Sequence, residues 1–91
     1  MASDAARRYV VHGRVQGVGF RYFVERAARE LACRGYVRNR ADGTVEVFAA
    51  GSLSKLNQLG GKLRQGPPLA RVDHVEEMEA DPEPVAGFQV R

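Results

Sequence analysis

YVRNRADGTVEVFAAG (36–51) is two runs rich in β-branched and aromatic residues, joined by Ala41-Asp42-Gly43. An Asp-Gly pair between such runs is a strong β-hairpin signal, because glycine takes the positive φ that a tight turn demands. What stands on either side of this hairpin decides the fold. Upstream, Phe20, Val24, Ala27 and Leu31 fall at i, i+4, i+7 and i+11, which is one face of a helix. Glu25–Arg29, Arg26–Glu30 and Glu30–Arg34 are spaced as i,i+4 charge pairs, each worth a few tenths of a kcal/mol, and Gly35 marks the exit. Downstream, Ser52 is placed to cap a second helix with a stripe of Leu53, Leu56, Leu59 and Leu63. Gly60-Gly61 weakens that helix by about 1 kcal/mol per glycine relative to alanine, and Gly66-Pro67-Pro68 stops it.

Outside the two helices lie further strands. RRYVVHGRV (7–15) reads as the first, and residues 70–79, with Val72, Val75 and Met78 unevenly spaced, as one with a bulge. Asp81-Pro82-Glu83-Pro84 is a loop, and GFQVR (87–91) a short final strand. The order is β-α-β-β-α-β with this fifth strand as an extra. An α+β, ferredoxin-like sandwich is its compact solution: a mostly antiparallel sheet with both helices on one face. Residues 1–7 are expected to form a flexible tail and 8–91 a single domain. The first crossover makes strands 1 and 2 parallel, with strand 3 between them and strand 2 at the edge. Their C-terminal ends then share one end of the sheet, which brings the 15–20 loop and Asn39 together.

Composition narrows the class. Ninety-one residues suit one domain with a small core, burying roughly 60–65% of the unfolded surface. Hydrophobic residues at 44% and charged residues at 27% match an ordinary globular chain. No apolar run approaches the roughly 18 residues of a membrane span, and MASDAARR lacks the apolar segment of a secretory signal. The single cysteine, Cys33, fits a reducing compartment, so the cytoplasm is the expected location. The net charge of +3 suits either a nucleic-acid binder or an enzyme that attracts anions.

GRVQGVGFR (13–21) carries the chemistry. Gly13, Gly17 and Gly19 expose backbone N–H groups, and Arg21 follows at the mouth of a helix. The first N–H groups of a helix have no intrahelical acceptors, and with inward-facing loop amides they make an anion nest. Arg21 adds a bidentate fork matched to phosphate oxygens. The plainer alternative is a glycine turn with a solvated arginine. Asn39 has two readings as well: a turn residue, or a carboxamide with donors and an acceptor that can hold a water against the bound anion.

The remaining candidates are structural. His12 and His74, with one cysteine, form no metal-ligand cluster, so no metal is expected. Cys33 reads as a partly buried small hydrophobe, Asp42 as a turn former, and Glu76, Glu77, Glu79 and Asp81 as a solvated edge. No serine sits in a nucleophile elbow, and no Walker lysine follows the loop.

GRVQGVGFR (13–21) closely resembles the phosphate-loop signature of the acylphosphatase family, terminal arginine included. GYVRNRADGTVEV (35–47) resembles the second signature, which carries an asparagine; GPPLARV (66–72) and FQVR (88–91) match as well. The resemblance runs from about residue 8 to the C-terminus. It implies hydrolysis of the carboxyl–phosphate bond of acyl phosphates without a metal or other cofactor. In its terms Arg21 and the amides of Val15, Gln16, Gly17, Val18, Gly19 and Phe20 hold the phosphoryl group, and Asn39 places the attacking water. A monomer acting on small acyl phosphates, inhibited by inorganic phosphate and bound to neither membrane nor nucleic acid, is the corresponding expectation. The chain departs from the family at Ala32-Cys33, where glycine-leucine is common, and at Tyr36, where tryptophan is. A non-glycine residue in left-handed geometry costs roughly 1–2 kcal/mol, so the first helix is expected to end differently, at Gly35.

Two other readings compete. An RNA-binding domain shares the element order but needs stacking aromatics on the central strands, and the third strand offers Phe48 alone. A non-catalytic acylphosphatase-like module of a larger protein is the second.

Overall fold

The computed structural model describes residues 4–91. The chain runs β1 (Ala5–Arg14), α1 (Phe20–Glu30), β2 (Arg34–Asn39), β3 (Val45–Gly51), α2 (Leu53–Gln65), β4 (Arg71–Glu79) and β5 (Phe88–Val90). The strands form one sheet in the order β4-β1-β3-β2-β5. Every pairing is antiparallel except β2 with β5, and β3 lies between β1 and β2. The ferredoxin-like arrangement therefore holds, and the C-terminal fifth strand is real. That strand also corrects one expectation: β2 is an interior strand, because β5 pairs along it through Gly35–Phe88 to Val37–Val90. Of the tail expected over 1–7, residues 1–3 lie outside the described residues, and Ala5–Arg7 already belong to β1.

Strand alternation sorts the two faces of the sheet. Tyr9, Val11, Val37, Val45, Val47 and Ala49 are buried on the helix side, beneath Phe20, Val24 and Ala27 of α1 and Leu56, Leu59 and Leu63 of α2. The three leucines of α2 are fully buried, so truncating any of them to alanine costs about 2–5 kcal/mol. Tyr9 spans the interface, its hydroxyl donating to the Leu56 carbonyl at 2.9 Å. The opposite face is covered more thinly. Tyr36 stacks on Phe48 and both are buried with Ala6 and Ala50 beneath Ala80 and Val85. Beside them the buried carboxylate of Glu46 accepts from Arg38 Nε at 2.6 Å and Arg8 Nε at 3.2 Å.

Helix α1 stops where the left-handed penalty argued against it. Ala32 takes φ 55, its N–H donates to the Arg29 carbonyl, and the Cys33 N–H donates to the Ala28 carbonyl at 2.8 Å. These 5→2 and 6→1 bonds form a Schellman motif built on alanine in place of glycine. Two satisfied carbonyls and the burial of Leu31 and Cys33 outweigh the backbone cost. Gly35 does not end the helix; it lies in β2, where any Cβ would collide with the Phe48 carbonyl oxygen. The expected Glu30–Arg34 helical pair is lost with the early stop, and Arg34 pairs with Asp4. Glu25–Arg29 does form.

Helix α2 runs unbroken through Gly60-Gly61, with Ser52 Oγ accepting from the Lys55 N–H as its cap. The bulge on β4 falls at Asp73: His12 faces His74 and Gly13 faces Val72, leaving Asp73 without a partner.

Candidate active site

The 15–20 loop is held by its apolar side chains and leaves its backbone free. Val15 and Phe20 are buried in the core, and Val18 packs against it, so the residues between them present main chain outward. Gly17 and Gly19 take φ 74 and 78, left-handed values that turn the chain sharply into α1. Gly19 is the N-cap and supplies no side chain, the first turn of α1 holds no acidic residue, and the first helical bond runs from the Phe23 N–H to the Gly19 carbonyl. Among the described residues, none accepts a hydrogen bond from the N–H groups of Gly17 to Tyr22. Open amides at the positive end of a helix are the kind of arrangement that favours an anion.

Arg21 and Asn39 border the same space. Val15, Gly17, Gly19, Phe20, Arg21, Tyr22 and Asn39 line one cavity of about 140 Å³, enough for a small anion and a water. The topology accounts for the meeting, since parallel β1 and β2 both end here, β1 leading into the loop and β2 finishing at Asn39. Arg21 is half-buried, and its Nη1 donates to the Arg91 carbonyl at 3.0 Å. Arg91 is fixed in turn by its N–H bond to the Val37 carbonyl and by its guanidinium lying 4.0 Å over the Tyr36 ring.

Two contacts in this geometry were not read from the sequence, which named Gln16 for its backbone amide alone and Arg91 only within FQVR. The Gln16 carboxamide donates to the Arg40 and Thr44 carbonyls at 2.7 and 2.9 Å, tying the loop to the turn behind Asn39. The Arg91 carbonyl meets Arg21 across seventy positions of sequence. A glutamine in a loop and an arginine near the end of a sequence carry no local signal of either contact.

The other residues behave as structural groups. Asp42 accepts from the Thr44 hydroxyl and N–H, bonds that hold its carboxyl below the usual range and lock the turn. Burial pushes the Cys33 thiol up, away from the reactive thiolate. His12 bonds Glu76 and lies against His74 on the sheet face remote from the helices. Among the described residues no three His, Cys, Asp or Glu side chains gather as metal ligands. The RNA reading fails on burial: Phe48 and Tyr36 are covered and offer no stacking surface.

Comparison with known proteins agrees with this geometry. The sequence model described as Acylphosphatase matches residues 7–90. An acylphosphatase of Solibacter usitatus is 50% identical over 91 residues, covering 100% of this chain and 95% of its own length. One of Koribacter versatilis is 57% identical over 81 residues, covering 89% and 74%. The crystal structure of the Bacillus subtilis acylphosphatase superposes with a TM-score of 0.93 at 36% identity, covering 96% of this chain and 98% of that one. A family model matched over nearly every residue, with a relative half identical along the whole chain, leaves one assignment: the chain belongs to the acylphosphatase family.

Proposed function

We propose that this acylphosphatase binds the phosphoryl group of its substrate in the amide cradle of residues 15–20 and on Arg21, and that Asn39 orients the attacking water. The carrying observation is the convergence of Arg21, Asn39 and the unpartnered amides on one 140 Å³ cavity. The reaction is hydrolysis of an acyl phosphate to a carboxylate and inorganic phosphate. Water attacks phosphorus, the bond from phosphorus to the carboxyl oxygen breaks, and the substrate's own phosphate oxygen accepts the proton. The leaving group is a carboxylate, whose acid has a pKa of roughly 4 by analogy with Asp and Glu, so it departs without protonation or a metal. Phosphoryl transfer through a loose transition state needs mainly positioning and charge stabilisation. The cradle, the guanidinium and one oriented water supply both.

We take the enzyme to act as a monomer on small acyl phosphates. Inorganic phosphate carries the recognised group and acts as a competitive product inhibitor. The lone buried Cys33 suits the reducing cytoplasm, where we place the enzyme. The decisive experiment is hydrolysis of acetyl or benzoyl phosphate with excess EDTA: full activity is expected, with competitive inhibition by phosphate. Activity abolished by chelation and restored by a divalent metal overturns the mechanism.

A further inference from the structure

We infer that the side chain of Gln16 is a positioning residue that sets the distance between the phosphate cradle and Asn39; this rests on the water-orienting reading of Asn39. Its Nε2 uses both N–H donors, one to the Arg40 carbonyl at 2.7 Å and one to the Thr44 carbonyl at 2.9 Å. Two carbonyl acceptors fix which end of the carboxamide faces the turn. The same carbonyls close that turn, Thr44 O accepting from the Arg40 N–H at 2.9 Å and Arg40 O from the Gly43 N–H at 3.1 Å. Asn39 immediately precedes Arg40, and its cross-strand partner Val45 immediately follows Thr44. On the loop side, Gly17 of the cradle is the next residue. The clamp thus sits one residue from each half of the site.

Among the described residues this is the only hydrogen-bonded tie between the 15–20 loop and the β2–β3 hairpin. The need for such a tie follows from the chemistry. The cradle fixes phosphorus and Asn39 fixes the water, so their separation is the attack distance, which must stay near 3–3.5 Å. The cradle is built on β1 and α1, whereas Asn39 is built on β2, and glycines at 17 and 19 leave the loop backbone adaptable. Without Gln16 the cradle still binds phosphate through amides and Arg21, but the water no longer sits at a fixed distance from phosphorus.

Gln16→Met keeps the side chain's length and removes both donors. On acetyl phosphate its kcat is expected to fall about 10–100-fold, the scale of a 1 Å misplacement, with the inhibition constant for inorganic phosphate changed less than threefold. Gln16→Asn keeps the carboxamide but is one methylene short, and its kcat should lie between Met and wild type. In an Asn39→Ala background, Gln16→Met should lower kcat by less than threefold, because the group it positions is gone. A folded Gln16→Met enzyme with kcat within twofold of wild type overturns the inference. So does parallel loss of phosphate affinity, or a full additional rate loss on top of Asn39→Ala. The two readings separate cleanly: Asn39→Ala at full rate sinks the role of Asn39 itself, whereas a slow Asn39→Ala beside a fast Gln16→Met sinks only the clamp.

Discussion

Arg21 Nη1 donates to the carbonyl oxygen of Arg91 at 3.0 Å, across seventy positions of sequence. A guanidinium has five N–H donors in a rigid plane. Spending one on a fixed carbonyl orients the plane and leaves other donors for phosphate oxygens. The Arg91 carbonyl is a good anchor because its own residue is bonded to Val37 and stacked on Tyr36.

Arg21→Ala should lose about 10³–10⁵ in rate, the scale of removing an arginine that stabilises phosphoryl transfer, together with most phosphate affinity. Arg21→Lys should recover little, since an ammonium cannot bond the Arg91 carbonyl and two phosphate oxygens in one plane. Steady-state kinetics on benzoyl phosphate with phosphate inhibition decide it. A folded Arg21→Ala enzyme active within about tenfold removes this residue from the site.

Asn39 should fail differently. It borders the cavity, and if the cradle and Arg21 hold the ground-state phosphate as proposed, its loss should act on the transition state. Asn39→Ala should lower kcat by about 10²-fold or more and shift the phosphate inhibition constant less than about tenfold. If it instead costs only stability, about 0.5–1.5 kcal/mol, Asn39 is a turn residue and nothing more.

The contrast between Asn39 and Arg91 explains what was readable beforehand. Asn39 could be placed near Arg21 because right-handed crossover and hairpin connectivity fix which strand ends coincide. Arg91 could not, because its contact depends on β5 pairing along β2, a three-residue strand whose partner no local pattern names. The end of α1 departs from the sequence expectation for a related reason. The penalty for a left-handed alanine is visible in sequence, but the two capping bonds and the burial that outweigh it are tertiary. Tertiary contact also separates Gly60 from Gly61. A Cβ at Gly60 would lie 2.9 Å from Glu77 Oε1 and 3.1 Å from Arg64 Nη1, whereas one at Gly61 meets nothing within 4 Å.

Two substitutions exploit these backbone findings. Ala32→Gly relieves a left-handed alanine that is itself exposed, and should stabilise by about 0.5–1 kcal/mol after glycine's entropic cost. Gly61→Ala should add about 1 kcal/mol of helix propensity. Each should raise Tm by several degrees in a domain this size, while Gly60→Ala should gain less, because the flexible ends of Glu77 and Arg64 must first shift aside. A Gly60→Ala gain equal to that of Gly61→Ala would show that the contact with β4 does not constrain α2.

Tyr9 gives the fold an alkaline limit. Burial at the α2 interface is the main cause that pushes its phenol up to about 12 from an ordinary 10.0. The folded state therefore favours the protonated phenol, and the resulting stability is fully present below pH 10 and lost as pH rises towards 12. At about 1.4 kcal/mol per unit, the full loss is about 3 kcal/mol. Burial raises the Cys33 thiol too, with the same sign, but that contribution cancels when wild type is compared with Tyr9→Phe. The variant lacks the hydroxyl that donates to Leu56, so at pH 8 it should be less stable by about 1 kcal/mol. Having no proton to release, it should close that gap by about pH 11 and be the more stable protein at pH 12. Urea unfolding of both proteins at pH 8, 10, 11 and 12 measures the crossing. A stability gap that stays constant across the series means that Tyr9 does not titrate with unfolding, and that the alkaline limit lies elsewhere.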